Sequence, residues 1–353
     1  MRLLLTLLYL IVISVSTWAQ TGEWRFAVSG DSRNCGGVVM PAIANGVTAD
    51  HAQFYWHLGD FRALVDFDED MLGRASGGKL TVRDYLNTAW DDFIQNQIRP
   101  FGNIPVFLGI GNHELESTRN RSDYVTQFGD WLATPILQKQ RLADDPKDSK
   151  IKTYYHWIQE PIDFITLDNA SHDQFSAVQI SWVEGVLKRA AGNPAIKTVV
   201  VGMHAALPDS LSAGHSMNEW AEGIESGRRV YQDLLAFRNN THKNVYLLAS
   251  HSHFFMENIF NTDYILSHGG VLPGWIIGTA GAVRYRLPRE AGRARNARTD
   301  VYGYLLGDVH ADGRIDFSFR EVTQKDVPQS VQQRLQPATI DQCFSGNKSN
   351  FQP

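Results

Sequence analysis

The chain has 353 residues, of which 43% are hydrophobic and 20% charged, with a formal net charge of −5. This apolar content excludes a disordered chain, and the length suits one large domain or two medium ones. Nucleic-acid binders are typically basic, so the mild acidity indicates that no nucleic acid is a structural partner. Two cysteines are too few for a four-thiolate zinc site, whereas twelve histidines offer nitrogen ligands to a metal.

Residues 1–19 have the pattern of a secretory signal peptide. Arg2 precedes an apolar stretch over residues 3–15, and the small residues Thr17 and Ala19 fit a cleavage site. The stretch is shorter than the ~20 residues that a membrane-spanning helix needs. We therefore predict an exported protein, secreted or periplasmic, with no membrane anchor once the leader is removed.

The rest of the chain alternates short apolar runs with helical stretches, which favours a single α/β domain over residues 23–323. Strands are predicted at residues 26–29, 54–58, 106–110, 164–167, 199–203 and 245–249, and helices at residues 83–98, 177–190 and 217–237. Near the C-terminus, an Asp312-Gly313 turn between two alternating runs predicts an antiparallel hairpin, 302–309 with 315–322.

Three polar segments carry no strand pattern. Residues 138–152 are predicted to form a surface loop, and residues 324–353 a polar, loosely packed C-terminal tail. Six arginines fall within residues 284–298 of an otherwise acidic protein. They form either a solvated basic loop or a patch that attracts an anionic substrate.

Five of the predicted strands end in residues that bind metals well. In chain order the blocks are Ser29-Gly30-Asp31, Leu58-Gly59-Asp60, Gly111-Asn112-His113-Glu114, Gly202-Met203-His204 and Ser250-His251-Ser252-His253. In open α/β sheets, sites form where strands give way to loops at their carboxyl ends. Carboxylate, amide and imidazole ligands suit metals of borderline hardness, and a pair of metals can clamp a phosphoryl group.

This ordered series resembles the calcineurin-like metallophosphoesterase superfamily, whose pattern runs D-x-H, G-D, G-N-H-[ED], a lone H and G-H-x-H. The resemblance extends over roughly residues 24–320. It implies an α/β fold, a four-layer α/β/β/α sandwich of two mixed sheets flanked by helices. It also implies two divalent or mixed-valence metal ions, drawn from Mn, Zn, Fe and Co, and a metal-activated hydroxide that attacks a phosphoester.

The resemblance assigns a role to each matching residue. Asp60 corresponds to the carboxylate that bridges the metals. The remaining ligands are Asp31 and His253 for the first metal, and Asn112, His204 and His251 for the second. His113 corresponds to the histidine that contacts the phosphate and protonates the leaving group, with Glu114 holding its ring.

The sequence departs from the superfamily pattern at the first metal. Arg33 stands where the pattern has a histidine, and Ala63 stands where purple acid phosphatases have a tyrosine. Arginine stays protonated and cannot bind a metal, so the first metal lacks one protein ligand. Three interpretations follow. A water molecule completes the first metal site, or Cys35 supplies a thiolate ligand, or Arg33 binds a phosphate oxygen of the substrate. The thiolate requires that Cys35 is not oxidised to Cys343, and export favours that disulfide slightly over free thiols.

We predict an enzyme that hydrolyses a small phosphorylated substrate, with a phosphomonoester as the first expectation. A phosphodiesterase or nucleotidase is the alternative within enzymes. A metal- or phosphate-binding protein without catalysis is the alternative outside them, because the first metal site is incomplete. His215 lies in a Gly/Ser loop shortly after His204, and we predict that it contacts the substrate. The sequence makes no prediction about oligomeric state.

Overall fold

The computed structural model describes residues 23–71, 80–116 and 118–353, so the predicted signal peptide lies outside the described residues. Within them the strands are β1 (Trp24–Ser29), β2 (Tyr55–His57), β3 (Val106–Leu108), β4 (Tyr155–Gln159), β5 (Ile162–Thr166), β6 (Thr198–Gly202), β7 (Asn244–Ala249), β8 (Phe255–Glu257), β9 (Gly274–Ile277), β10 (Asn296–Arg298), β11 (Tyr302–Val309) and β12 (Ile315–Val322). The six predicted strands and the hairpin are confirmed, with strand ends displaced by at most two residues.

The helices lie mainly between the strands. They are α1 (Gly36–Ala49), α2 (Val82–Phe93), α3 (Arg121–Gln127), α4 (Gly129–Leu132), α5 (Pro135–Asp144), α6 (Ala177–Gly192), α7 (Ala221–Thr241), α8 (Asp263–Ser267), α9 (Gln329–Arg334) and α10 (Pro337–Asp341). The predicted helix 83–98 is α2 continued by a π-helical turn, Ile94–Ile98. No helix in these described ranges is both long and apolar enough to span a bilayer.

The strands form two mixed sheets that face each other. The first has the order β12-β11-β1-β2-β3, and the second has the order β10-β8-β9-β7-β6-β5-β4. In the first sheet β1, β2 and β3 run parallel, with Ala27 opposite Tyr55 and Tyr55 opposite Val106. In the second, β5, β6, β7 and β9 run parallel. Both sheets therefore direct the carboxyl ends of several strands to loops at one edge.

Alternation along each strand divides its side chains between two apolar layers. On β1, Phe26 points into the layer between the sheets, whereas Ala27 points towards α1 on the outer face. The inner layer is largely aromatic, and the Phe107 and Trp157 rings from opposite sheets stack with centroids 4.0 Å apart. Helices α6 and α7 cover the outer face of the second sheet. The predicted α/β/β/α sandwich is confirmed.

Two expectations about polar segments are wrong. Residues 138–152 are not all loop, because α5 reaches Asp144 and buries Leu137 on its inner side. The segment from residue 324 onwards is not loosely packed. It contains α9 and α10, buries Val331 and Ile340, and is joined to the start of α1 by the Cys35–Cys343 disulfide.

Candidate metal centre

The carboxyl-end loops of both sheets meet at one edge of the sandwich. The Gly30 N–H donates to the Ile277 carbonyl, and the Asp31 N–H donates to the Gly59 carbonyl, each with an N···O distance of 2.9 Å. The Ser250 N–H donates to the His204 carbonyl at 2.8 Å. The His113 N–H donates to Asp60 Oδ1 at 3.0 Å, so the structure brings all five motif blocks together.

Three residues define a first candidate metal position. Ligand atoms of Asp31, Asp60 and His253 lie within 4.8 Å of one another, and all three side chains are buried. His253 Nε2 is 3.2 Å from Asp31 Oδ1. Among the described residues, Asp31 Oδ1 and Asp60 Oδ2 are buried oxygens without a hydrogen-bond partner. Buried carboxylate oxygens left in this state fit a cation between them.

Four residues define a second candidate position. His204 Nε2 lies 3.3 Å from Asp60 Oδ1, 3.0 Å from Asn112 Oδ1 and 2.9 Å from His251 Nδ1. Such spacings match ligand atoms that share one ion at about 2.0–2.2 Å. Asp60 contributes to both positions, since Oδ1 faces His204 and Oδ2 faces the first position. The donor set of both positions is nitrogen and oxygen, which suits borderline divalent metals.

Backbone carbonyl groups orient three of the imidazoles. Nδ1 of His204 lies 3.0 Å from the Leu58 carbonyl oxygen, and Nδ1 of His253 lies 2.7 Å from that of Val283. Nδ1 of His113 contacts the Ala63 carbonyl oxygen at 2.5 Å. A carbonyl oxygen only accepts, so each Nδ1 carries a proton, and Nε2 is the atom of each ring that a metal or a substrate could reach.

The backbone at the site adopts a conformation that few residues tolerate. Asp31, Asp60 and His251 have φ of 60°, 61° and 66°, in the left-handed region. Aspartate and histidine enter this region more readily than most residues, and such strain concentrates at functional sites. A side chain at Gly111 would lie 2.3 Å from Asp60 Oδ1, so glycine lets the Asn112 loop approach the Asp60 carboxylate.

The electrostatics of the cluster favour a positive charge. Burial lowers the pKa of His204, but the Asp60 and Asp31 carboxylates outweigh it and raise that pKa to about 10. Burial raises the pKa of Asp60, and His204 and His113 outweigh it, so that pKa lies well below its usual range. Burial and the Arg33 charge lower the pKa of His253 to about 4, against the opposing effect of Asp31. The pKa of His204 is raised at the second position and the pKa of His253 is lowered at the first, so the electrostatic environments of the two positions differ.

Glu114 does not hold the His113 ring, so that expectation is wrong. Its carboxylate accepts the backbone N–H groups of Asp60, Phe61 and Gly111, each at 2.8 Å. The His113 ring is held instead by the Ala63 carbonyl group, and its Nε2 lies 3.9 Å from Asp60 Oδ2. Glu114 therefore fixes the two loops that carry the ligands.

Arg33 lies at the first position, whereas Cys35 cannot donate a thiolate there. The Arg33 side chain is 14% exposed, and its Nε is 3.7 Å from Asp60 Oδ2. Burial lowers the pKa of Arg33, but Asp60 and Tyr285 outweigh it and raise that pKa further. Because Cys35 is bonded to Cys343, its sulfur is not a thiolate, and the thiolate ligand is excluded.

An aromatic wall flanks the two positions. The His215 ring stacks on His251 with centroids 3.7 Å apart, and the Tyr285 ring stacks on His253 at 4.0 Å. Phe351 lies edge-on to both His215 and Tyr285. The chain segment that contains Phe351 runs beside residues 284–287, with the Arg286 N–H donating to the Phe351 carbonyl. Sequence reasoning missed Phe351, because nothing in a polar C-terminal stretch indicates where it folds.

The arginines of residues 284–298 are mostly engaged within the protein. Arg284 is buried and donates to the carbonyl groups of Cys343, Phe344 and Asn347. The other contacts pair Arg286 with Asn350, Arg293 with Asp263, Arg295 with Glu257 and Arg298 with Glu321. These contacts favour a structural role over a patch for an anionic substrate.

Three solved structures resemble this one along most of the chain. A purple acid phosphatase from yellow lupin (Lupinus luteus) seeds matches with a TM-score of 0.56 and 14% identity, over 86% of this chain and 52% of that one. PhoD matches with a TM-score of 0.51 and 13% identity, over 85% and 72%. A dimetal phosphatase from Danio rerio matches with a TM-score of 0.50 and 12% identity, over 84% and 96%.

The likeness lies in the fold, since the sequences are only 12–14% identical. No protein-family model matches the sequence, and no curated protein matches it either. The chain spans about half the length of the lupin phosphatase. The three structures nevertheless share the arrangement of sheets and helices described above. The chain therefore shares its fold with these three solved structures, as the resemblance of the five motif blocks to the metallophosphoesterases implied.

Proposed function

We propose that the chain is an exported metal-dependent phosphoester hydrolase that acts on a small phosphomonoester. The observation that carries the proposal is the pair of ligand clusters that share Asp60. Asp31, Asp60 and His253 lie on one side, and Asn112, His204 and His251 complete the other. Metal ions held by these residues would supply Lewis acidity, which would polarise a phosphoryl oxygen and lower the pKa of a water molecule.

The chain's own residues would orient the substrate and move a proton. His113 has its Nδ1 proton fixed by the Ala63 carbonyl, so its Nε2 is the atom that exchanges protons with the substrate. Burial lowers the pKa of His113, so the free ring is neutral near pH 7. The negative charge of a bound phosphate opposes that shift, which makes His113 a suitable donor to the leaving oxygen.

The position of Arg33 favours a phosphomonoester over a phosphodiester as the substrate. Its guanidinium group adds a fixed positive charge beside Asp60, at the edge of the first position. A phosphomonoester carries one more negative charge than a diester near pH 7, so this charge favours binding of the monoester. We propose that His215, stacked on His251, contacts the organic part of the substrate.

The proposal is tested with metal-stripped protein reconstituted separately with Mn, Zn, Fe and Co. Hydrolysis of 4-nitrophenyl phosphate and of bis(4-nitrophenyl) phosphate is compared for the wild type, Asn112→Ala and the control Asn239→Ala, whose residue is exposed on α7. We expect metal-dependent turnover of the monoester, its loss in Asn112→Ala and its retention in Asn239→Ala. Turnover of the diester alone would establish the diesterase alternative, and full activity in Asn112→Ala would contradict the metal centre.

A second candidate is a metal- or phosphate-binding protein without turnover. The observation that favours it is the position of Arg33, which faces the oxygen of Asp60 that the first metal would use. Metal and phosphate binding in calorimetry, without hydrolysis of any ester under the same conditions, would identify this candidate.

Export is the remaining part of the proposal. The leader-like pattern of residues 1–19 and the Cys35–Cys343 disulfide support it, because disulfides persist in oxidising compartments. N-terminal sequencing of the protein recovered after expression of the full chain tests it. A mature chain that begins near Gln20 is expected, and an intact Met1 on a reduced protein would contradict it.

A further inference from the structure

Arg33 forms a hydrogen bond with the nitrogen atom of His253 that a metal at the first position would need as a ligand. Nδ1 of His253 donates to the Val283 carbonyl, so Nε2 carries the free lone pair. That lone pair accepts a hydrogen bond from Arg33 Nη2 at 3.3 Å. The same Nη2 donates to the Tyr285 hydroxyl oxygen at 3.4 Å, which directs the guanidinium group towards the ligands.

The guanidinium group also lies near the bridging carboxylate. Arg33 Nε is 3.7 Å from Asp60 Oδ2, which is too long for a hydrogen bond. In the described part of the chain, both of these buried atoms lack a hydrogen-bond partner, as does Asp31 Oδ1. The first position therefore holds a fixed positive charge that compensates the two carboxylates without satisfying either oxygen.

The second position has no comparable competitor among the described residues. Its four candidate ligand atoms are Asp60 Oδ1, Asn112 Oδ1, His204 Nε2 and His251 Nδ1, and Arg33 pairs instead with the other oxygen of Asp60, Oδ2. Nδ1 of His204 is held by the Leu58 carbonyl, which leaves Nε2 for an ion. A metal ion at the second position would have four protein ligands. A metal ion at the first position would have three protein ligands and would lie beside the positively charged guanidinium group of Arg33.

The backbone holds Arg33 in this place. The Ser32 N–H donates to the Asp60 carbonyl at 2.9 Å, immediately before Arg33 in the chain. The Cys35 N–H donates to the Gly281 carbonyl at 3.1 Å, and Cys35 is joined to Cys343. Because the chain is tied on both sides of Arg33, its side chain starts from a fixed point next to the ligands.

We infer that the two positions differ in their affinity for metal. The chain binds one metal ion tightly at the second position. At the first position the affinity for metal is low, because the positive charge of Arg33 already lies there. The inference rests on the proposed metal centre and refines it. During turnover Arg33 would neutralise phosphate charge that a second metal would otherwise neutralise. A phosphomonoester substrate would thus bind between one metal ion and one guanidinium group.

Arg33→His tests the inference because it restores a nitrogen ligand and removes the charge. Arg33→Lys is the matched control, since it retains the charge and adds no ligand. Metal-stripped proteins are titrated with Mn²⁺ by calorimetry, and the Mn²⁺-loaded proteins are compared by electron paramagnetic resonance. Thermal unfolding of each variant confirms that it is folded.

For the wild type and Arg33→Lys we expect one tight Mn²⁺ ion with the spectrum of an isolated ion. For Arg33→His we expect affinity at the first position to rise about 10- to 100-fold, with a spin-coupled spectrum. Two tight ions in the wild type, or no gain in Arg33→His, would overturn the inference while leaving the proposed hydrolase intact. Absence of tight Mn²⁺ binding in all three proteins would overturn the metal centre itself.

Discussion

The Glu114 carboxylate accepts the backbone N–H of Asp60 at 2.8 Å, which joins the loop after β3 to the loop after β2. It also accepts the N–H groups of Phe61 and Gly111, so one buried side chain satisfies three backbone donors. The position of the Asp60 carboxylate thus depends on a residue that belongs to neither candidate ligand cluster.

Replacing Glu114 by Gln is therefore expected to destabilise the metal-free protein. The amide nitrogen of Gln cannot accept, so at least one buried N–H loses its partner, at a cost of about 1–3 kcal/mol. Urea unfolding of the metal-stripped protein measures this loss, with Glu116→Gln as the control on the same loop. Equal free energies of unfolding for Glu114→Gln and the wild type would contradict this role for Glu114.

Replacing His113 by Gln is expected to slow turnover without removing metal. Loss of a general acid lowers kcat by about 10²–10⁴-fold, and the effect is larger for an alkyl phosphate than for an aryl phosphate, whose leaving oxygen needs less protonation. His113 lies 3.9 Å from Asp60 Oδ2 and belongs to neither ligand cluster, so metal content should not change. Steady-state kinetics with both esters and metal analysis measure the two effects, with His268→Ala, at the C-cap of α8, as the control. An equal loss for both esters would contradict the assignment.

The Cys35–Cys343 disulfide is expected to contribute strongly to stability. It joins residues 308 positions apart, and a long closed loop restricts the unfolded chain, which is worth about 5–6 kcal/mol in the chain-entropy description. The double variant Cys35→Ser, Cys343→Ser should have a lower Tm than the oxidised wild type. Dithiothreitol should lower the Tm of the wild type towards that of the variant and leave the variant unchanged. Insensitivity of the wild type to the reductant would contradict the prediction.

A buried histidine far from the metal centre should make stability depend on pH. His156 lies between Asp163, 2.7 Å from its Nδ1, and Asp144, 2.5 Å from its Nε2. Burial lowers the pKa of His156, but the two carboxylates outweigh it and raise that pKa to about 9. Since the folded pKa lies above the unfolded value, protonation stabilises the protein fully below about pH 6.5, and this contribution is lost as pH rises through about 9.

The shift corresponds to about 3 kcal/mol at most. The free energy of unfolding of the wild type should therefore exceed that of His156→Gln by more at about pH 6 than at about pH 9.5. Denaturant unfolding of both proteins across this range measures the difference. A difference that does not change with pH would show that His156 stays neutral in the folded protein.

The sequence predicted the strands and the ligand cluster because both depend on short patterns. Buried parallel strands are continuous apolar runs, so the run before Asn112 identified β3, and the residues after such runs must meet at one sheet edge. The roles of single side chains depend on contacts distant in sequence. Glu114 follows His113 directly, yet its partners include Asp60 and Phe61, more than fifty residues away.

The wrong expectations have the same physical origin. Helix α5 buries Leu137 alone among its residues, so its sequence carries too little apolar periodicity to be distinguished from a loop. The C-terminal segment is polar, but its packing is fixed by the disulfide and by Arg284, which donates to the carbonyl groups of Cys343 and Phe344. Composition alone does not reveal such partners.

The most direct test of the metal centre is anomalous diffraction from crystals soaked in Mn²⁺. A strong peak is expected among Asp60, Asn112, His204 and His251, at about 2.0–2.2 Å from each ligand atom. A weaker peak, or none, is expected among Asp31, Asp60 and His253, where Arg33 lies. Absence of a peak at the four-ligand position would contradict the proposed metal centre.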